Sequence, residues 1–449
     1  MPPSSRSTRF ALPLLALLVA ACGGDGRAAP REAVSFWAMG AEAEVAEAMV
    51  ADFREVHPDI EVRVQRVPWS AAHEKLLTAY VGRSMPDVFQ LGNTWIPEFA
   101  VLGALEPLDA RVEASSLVGR KDFFEGALVP NIVDGALVAL PWYVDTRLLF
   151  YRRDLLAAAG VSRAPRTWEE WAAAMRRVRA NGEASGFGVF LPVDEWETPV
   201  ILAMQQGASL LRDGDRYGNF RSPEVRRAVD FYLSLFAEGL APKKAEAQIA
   251  SLYREFAAGY FAFFVTGPWN LVELGRRMPL ELADAWTTAP MPSPFSEAGA
   301  TAPPDAAGVE AVETSKPGVS LAGGASLAVS SSSTRKDAAF KLVEFFTSAP
   351  VQSEFRRRSG DLPSRRSAWE SADLAGDERA RAFRVQLEHL APTPRIPEWE
   401  RIAAKLSLHL ERMIRGEVDT ATGLAELDAD VDEVLEKRRW MLDRQGDPR

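Results

Sequence analysis

Along most of this chain, stretches with the two-residue period of a β-strand alternate with stretches of helical period. That alternation limits the folds open to the chain more than any other feature. "AVSFWAM" at 33–39 is a short apolar run that reads as a buried strand. Val45, Met49, Val50 and Phe53 then fall near helical spacing until His57 and Pro58 stop the pattern. "IEVRVQRV" at 60–67 alternates apolar and polar, "SAAHEKLLTAYVG" is helical and ends at Gly82, and "PDVFQLG" at 86–92 is a third strand. Further strands are expected in "DGALVALPWYV", "RLLFYRR", "GFGVFL", "YFAFFVTG" and "SLAVSSSS". "RTWEEWAAAMRRVRANG" is a helix with Thr167 as N-cap and Glu170 three residues on, and "SPEVRRAVDFYLSLFAEG" is one opened by Ser222-Pro223. From 378 onward the pattern is helical throughout. The class is therefore α/β, with parallel sheets covered on both faces. With 449 residues the chain is too long for one such sheet, so two or more lobes are expected.

The only cysteine, Cys22, cannot form an internal disulfide or a thiolate cluster. It follows Arg6 and Arg9, the apolar run from Phe10 to Leu18, and Ala20-Ala21. That is the layout of a secretory signal peptide, with an apolar run too short to span a bilayer. The small-small-Cys ending resembles the lipobox of bacterial lipoproteins, with Val19 where that pattern prefers leucine. The resemblance implies removal of residues 1–21 and a lipid on Cys22. Gly23 to Pro30 is then a flexible tether.

The net charge is −10, which argues against nucleic acid as a partner. The four histidines, His57, His73, His389 and His409, show no metal-ligand spacing. Nucleophile-elbow, P-loop and dinucleotide motifs are missing from the sequence. Nothing here specifies an enzyme, a cofactor or a metal. What stands out is a set of tryptophans at expected strand ends: Trp37, Trp69 in "VPWS", Trp95 in "LGNTW", Trp142 in "PWYVDTR", Trp196 in "DEWE" and Trp269 in "TGPWN". Ligands of open α/β sheets bind beyond the carboxyl ends of the strands, so these indoles are expected to face one cleft. Indole faces stack on sugar C–H faces, and neighbouring Asp, Asn, Arg and Glu bond hydroxyls.

"VADFREVHPDIEV", "MPDVFQLGNTWIPEFAVLGALEPLD", "ALPWYVDTRLLFYRRDLLAAAGV", "FAAGYFAFFVTGPWNL" and "LAGGASLAVSSSSTRKDAAFKLVEFFTS", in this order, resemble the extracellular solute-binding lipoproteins of bacterial carbohydrate ABC importers, the group of maltose- and trehalose-binding proteins. The resemblance spans roughly 33–440. It implies the two-lobe periplasmic-binding-protein fold with discontinuous lobes and a helix-rich C-terminal part. The lobes would be 32–144 with 325–376, and 145–324 with 377–449, after a tether at 22–31. It also implies a monomer that takes a carbohydrate between its lobes and passes it to membrane permease subunits. Carried over residue by residue, it implies that Asp145 bonds hydroxyls and Trp269 forms a stacking platform. It places Asn93 and Trp95 along the cleft, Gly323 and Gly324 at the return crossing, Arg365 at the rim and Trp399 as a further aromatic. Trp37, Trp69, Tyr143, Glu195 and Trp196 complete the candidate set. The rival ligands are a glycerol phosphodiester or a polyamine, and the rival class is a cell-surface glycosidase. The 296–320 stretch, rich in Pro, Gly, Ala and Ser and free of aromatics, reads as an exposed loop, and "LLRDGDRYGNF" as a surface hairpin. Changing Cys22 to Ser is expected to move the protein from the membrane fraction to the soluble one; a variant that stays membrane-bound would refute the anchor.

Overall fold

The computed structural model describes residues 32–181, 186–295, 316–370, 374 and 376–445. Cys22, the tether and most of the 296–320 stretch lie outside the described residues.

Two sheets organise the molecule. The first has six strands in the order Leu362–Pro363, Leu140–Asp145, Gly323–Val329, Val88–Gly92, Glu32–Met39 and Ile60–Val67. The second has four: Trp286–Ala289, Leu148–Arg152, Phe261–Thr266 and Phe187–Phe190. Glu32–Met39 runs parallel to both its neighbours, as alternation with helices demands. Within these two sheets, among the described residues, the expectation of parallel pairing holds only there and between Phe261–Thr266 and Phe187–Phe190. Gly323–Val329 is antiparallel to both Val88–Gly92 and Leu140–Asp145. The reason is connectivity. The chain leaves the first sheet through Leu140–Asp145 and re-enters it through Gly323–Val329, so these neighbours must point in opposite directions.

Local chemistry explains the helices that periodicity predicts. Thr167 Oγ1 accepts from the Glu170 amide at 3.1 Å, and the Glu170 carboxylate accepts from the Arg166 amide at 2.8 Å, capping Trp168–Ala180. Ser222 caps Pro223–Ala237 in the same way. The hairpin of Leu211–Arg212 and Tyr217–Gly218 turns through Asp213, Gly214 and Asp215, all at positive φ. The elements that periodicity leaves unread include Glu197–Gln205, Trp269–Arg277, Trp286–Ala289 and Ala349–Ser359. In Glu197–Gln205 nearly every side chain is buried, so no polar face reveals its period. The C-terminal region is helical over Glu378–Gln386, Trp399–Arg415, Thr420–Val434 and Glu436–Gln445, interrupted where Leu390–Ala391 pairs with Ser320–Leu321.

Trp142 lies in the core of the first sheet, contrary to the cleft position expected for it. It is fully buried, with ring centroids of Phe355, Phe346 and Phe36 at 4.5, 5.7 and 6.1 Å. Trp142→Ala is expected to destabilise the protein by about 3–5 kcal/mol, read as a lower urea midpoint; an unchanged midpoint would contradict this packing.

Candidate ligand-binding site

The site begins at the step between the sheets. Asp145 ends the outbound strand and Leu148 starts the next, with Arg147 between them. Arg147 Nη1 donates to both oxygens of Asp145 at 2.8 Å, and Nη2 donates to Glu197 Oε1 at 3.2 Å. The three side chains are 16, 19 and 21% exposed, in the order Arg147, Asp145, Glu197. Burial works against the guanidinium charge, but the carboxylates of Asp145 and Glu197 outweigh it and hold Arg147 above its ordinary pKa.

Trp269 enters from the second sheet. It follows Thr266, the last residue of Phe261–Thr266, through Gly267 and Pro268. A Cβ on Gly267 would lie 1.9 Å from Trp269 Cζ3 and 2.6 Å from Asp145 Oδ1, so only glycine lets this indole and this carboxylate meet. The Arg147 guanidinium lies 5.0 Å from the Trp269 ring centre, over its face.

The return crossing closes the other side. Gly323 pairs with Asp145 and Gly324 with Val144. Gly324 has φ +109°, and a Cβ there would meet the Tyr143 carbonyl at 2.4 Å. Asn93 clamps this segment: its Nδ2 donates to the Gly323 carbonyl at 3.0 Å and its Oδ1 accepts from Ser326 Oγ at 2.8 Å.

Further carboxylates converge from the first sheet. Glu42 stands in the first turn of Gly40–Val56, directly behind the first strand. Its Oε1 accepts from the Tyr143 hydroxyl at 2.8 Å and its Oε2 from Trp69 Nε1 at 3.4 Å. Tyr143 in turn accepts from Gln90 Nε2 at 3.0 Å. Asp361, 6% exposed, follows Gly360, which has φ +90°. Burial raises the pKa of Glu42 and Asp361, and the charge of Asp145 raises both further. Burial together with the Glu197 charge pushes Glu195 up to about 7, although Glu195 Oε1 accepts from the Thr198 amide at 3.1 Å and hydroxyl at 2.5 Å.

Of the residues expected from sequence, Tyr143, Asp145, Glu195, Trp269, Gly323 and Gly324 come together here. Trp69 joins through Glu42, and Trp95 through an edge contact to Trp69 at 5.6 Å. Others are placed differently. Asn93 is 5% exposed, with its amide committed to the return crossing. Trp37 stops short of the strand end at Met39, and its ring is covered by Lys75 Nζ at 4.7 Å. Arg365 is not at a rim: it is 6% exposed and donates to Asp122 and to the carbonyls of Leu117 and Thr347. Trp399 is fully buried in the core of the second sheet, with Trp196 half-buried edge-on against it at 5.4 Å. Sequence reasoning missed Glu42, Glu197, Asp361, Gly267 and the central role of Arg147. Glu42 carried a usable signal, since it directly follows a strand end. Among the described residues no group of acidic, His or Cys side chains is placed to hold a metal. A cavity of about 570 Å³ lies elsewhere, between Tyr151, Pro165, Met291 and Arg381.

The model of the family of bacterial extracellular solute-binding proteins matches residues 40–353, and the chain belongs to that family. Among solved structures it is similar to the sugar-binding protein MalE from Xanthomonas citri, at 44% identity and TM-score 0.84, covering 92% of this chain and 100% of that one. Among curated proteins it is similar to the diacetylchitobiose binding protein DasA of Streptomyces coelicolor, 26% identical over 85% of this chain and 86% of DasA. The GacH receptor of Streptomyces glaucescens shares the fold, at 24% identity and TM-score 0.76 over 90% of this chain and 99% of that one. The expected α/β fold of periplasmic binding proteins is therefore the fold of this chain.

Glu195 supplies a pH test of this electrostatic arrangement. Its folded pKa of about 7 lies above the ordinary 4.5, so the native state binds this proton more tightly than the unfolded chain does. The stability it contributes is full below about 4.5 and is lost as pH rises through about 7. Glu195→Gln, which keeps an acceptor for Thr198, is expected to flatten the fall in urea midpoint across that window. A slope identical to that of the parent protein would show that Glu195 is not the titrating group.

Proposed function

We propose that this protein captures a sugar or oligosaccharide between two lobes and delivers it to the permease of an ABC importer. The observation that carries the reading is the Asp145–Arg147–Glu197 group set against the Trp269 indole, in a chain 44% identical to a sugar-binding protein over nearly its whole length. A flat apolar face beside paired polar groups is what a sugar ring requires, since its C–H faces stack and its hydroxyls donate and accept. The lobes are 32–144 with 325–376, and 145–324 with 377–449. They close about the adjacent crossings at Asp145 and Gly323-Gly324. The protein works as a monomer, exported and tethered by a lipid on Cys22. Among the described residues no helix is long and apolar enough to cross a membrane.

The phosphodiester and glycosidase rivals fit less well. A phosphodiester calls for a cluster of cations, yet Arg147 is already engaged by two carboxylates. A glycosidase needs a carboxyl pair flanking a bound sugar, whereas the family is one of solute-binding proteins, and we assign the chain no catalysis.

Titration calorimetry against di- and trisaccharides, neutral and amino-substituted, tests the proposal. Trp269→Ala is expected to weaken every sugar that binds by roughly tenfold to a hundredfold, because stacking does not depend on the hydroxyl pattern. Unaltered affinities in that variant would remove Trp269 from the binding surface, and a panel with no binding sugar would overturn the function.

A further inference from the structure

Five carboxylates, of Glu42, Asp145, Glu195, Glu197 and Asp361, share this site with a single guanidinium. Arg147 is taken up by Asp145 and Glu197. Glu42 reaches this corner through Tyr143, and Asp361 directly precedes Leu362, whose antiparallel pairing with Val144 sets Asp361 beside Asp145; neither carboxylate has an ion pair of its own among the described residues. Glu42 has the Tyr143 hydroxyl and the Trp69 indole N–H as donors, and Asp361, more than nine-tenths buried, has the Ser359 hydroxyl. Two basic side chains of Trp69–Val81 have other partners. His73 bonds Glu98 at 2.6 Å, and Lys75 lies over Trp37.

Such a corner is costly with neutral contents. Buried carboxylates that face each other without a cation repel, and each disfavours the ionised form of the other. A sugar hydroxyl donates one hydrogen bond and leaves the charge in place, whereas an ammonium brings three donors and cancels a unit of charge. The site already displays the arrangement on its other flank. There a cation, Arg147, lies over an indole while two carboxylates accept its hydrogens. Glu42 with its Trp69 partner and the nearby Asp361 repeat the carboxylates and the indole, and among the described residues no cation pairs with them.

We infer that the ligand is a carbohydrate bearing a protonated amine, with the ammonium seated between Glu42, Asp361 and Asp145 beside Trp69. This rests on the sugar-binding reading above and narrows it to amino sugars. Trp269 then takes a sugar ring, and the Glu42 corner selects the charge.

The test compares matched ligands by titration calorimetry on the intact protein, at a pH where the amine is protonated. Each neutral disaccharide that binds is set against its counterpart with one or two hydroxyls replaced by amines and against the N-acetylated form; cellobiose, chitobiose (two amines) and diacetylchitobiose make one such series, and trehalose with trehalosamine (one amine) another. The amine is expected to bind about tenfold more tightly than the hydroxyl parent, with the advantage lost on N-acetylation. Asp361→Asn is expected to bring the amine-to-hydroxyl affinity ratio toward one. Glu42→Gln makes the same measurement if the first variant does not fold. If neutral sugars bind and no amine counterpart binds more tightly, this inference fails while the sugar-binding function stands. If neither neutral nor amino sugars bind, the function itself fails and the inference falls with it.

Discussion

The backbone pairing of Gly323 with Asp145 is the constraint on which the site depends. A chain that builds two sheets and returns to the first must cross between them at least twice, and here the first two crossings are neighbouring strands of one sheet. Close approach fixes the residue types. Gly324 sits at φ +109° against the Tyr143 carbonyl, where any side chain would collide. Asn93 then fastens the return strand to the first sheet, while Ser320 Oγ donates to the Arg147 carbonyl at 2.8 Å and fastens it to the second. Asp145 and Arg147 therefore stand at the joint itself. A movement of one sheet against the other would reorient the ion pair, so the groups proposed to read a ligand are also those nearest the proposed pivot.

The same crossing concentrates charge. Strand ends from both sheets and the turn after Gly360 deliver acidic residues to one place, and a single arginine answers them. For stability alone this is a poor arrangement, because unpaired buried carboxylates are expensive. The fold tolerates it because its two large cores lie elsewhere, around Phe36, Trp142 and Phe346 in one sheet and Trp171, Phe263 and Trp399 in the other. Local polar cost at a binding surface is offset by burial that the site does not share.

The fold was more legible than the site for a physical reason. Strand Ile60–Val67 and the Thr167 and Ser222 caps are set by residues within one turn or a few alternations, which a sequence displays directly. The antiparallel crossings were not visible, because direction within a sheet depends on where the chain has been. At the site, "PWYVD" pointed to the right strand, yet its neighbouring residues face opposite ways: Trp142 packs in the core while Tyr143 reaches Glu42. "DEWE" yielded Glu195, and missed Glu197 two residues on. The meeting of positions 42, 145 and 361 is a property of the fold and leaves no local pattern to read.

The tryptophans show what could have sorted them. Among the described residues, glycines whose missing side chain makes room for an indole occur at three places: Gly40 against Trp69 at 2.7 Å, Gly92 against Trp95 at 3.3 Å, and Gly267 against Trp269 at 1.9 Å. All three indoles are partly exposed at the strand ends, and the core indoles of Trp142, Trp171, Trp286 and Trp399 have no such glycine. The difference follows from packing. A core indole is surrounded by side chains that fit its volume, whereas an indole offered to a ligand must lie flat on backbone with one face left open. Glycine is the residue that permits that contact. In "LGNTW" and "TGPWN" the glycine precedes the indole by three and two residues, so the motif encodes the exposed platform; Gly40 and Trp69 reach the same result through the fold.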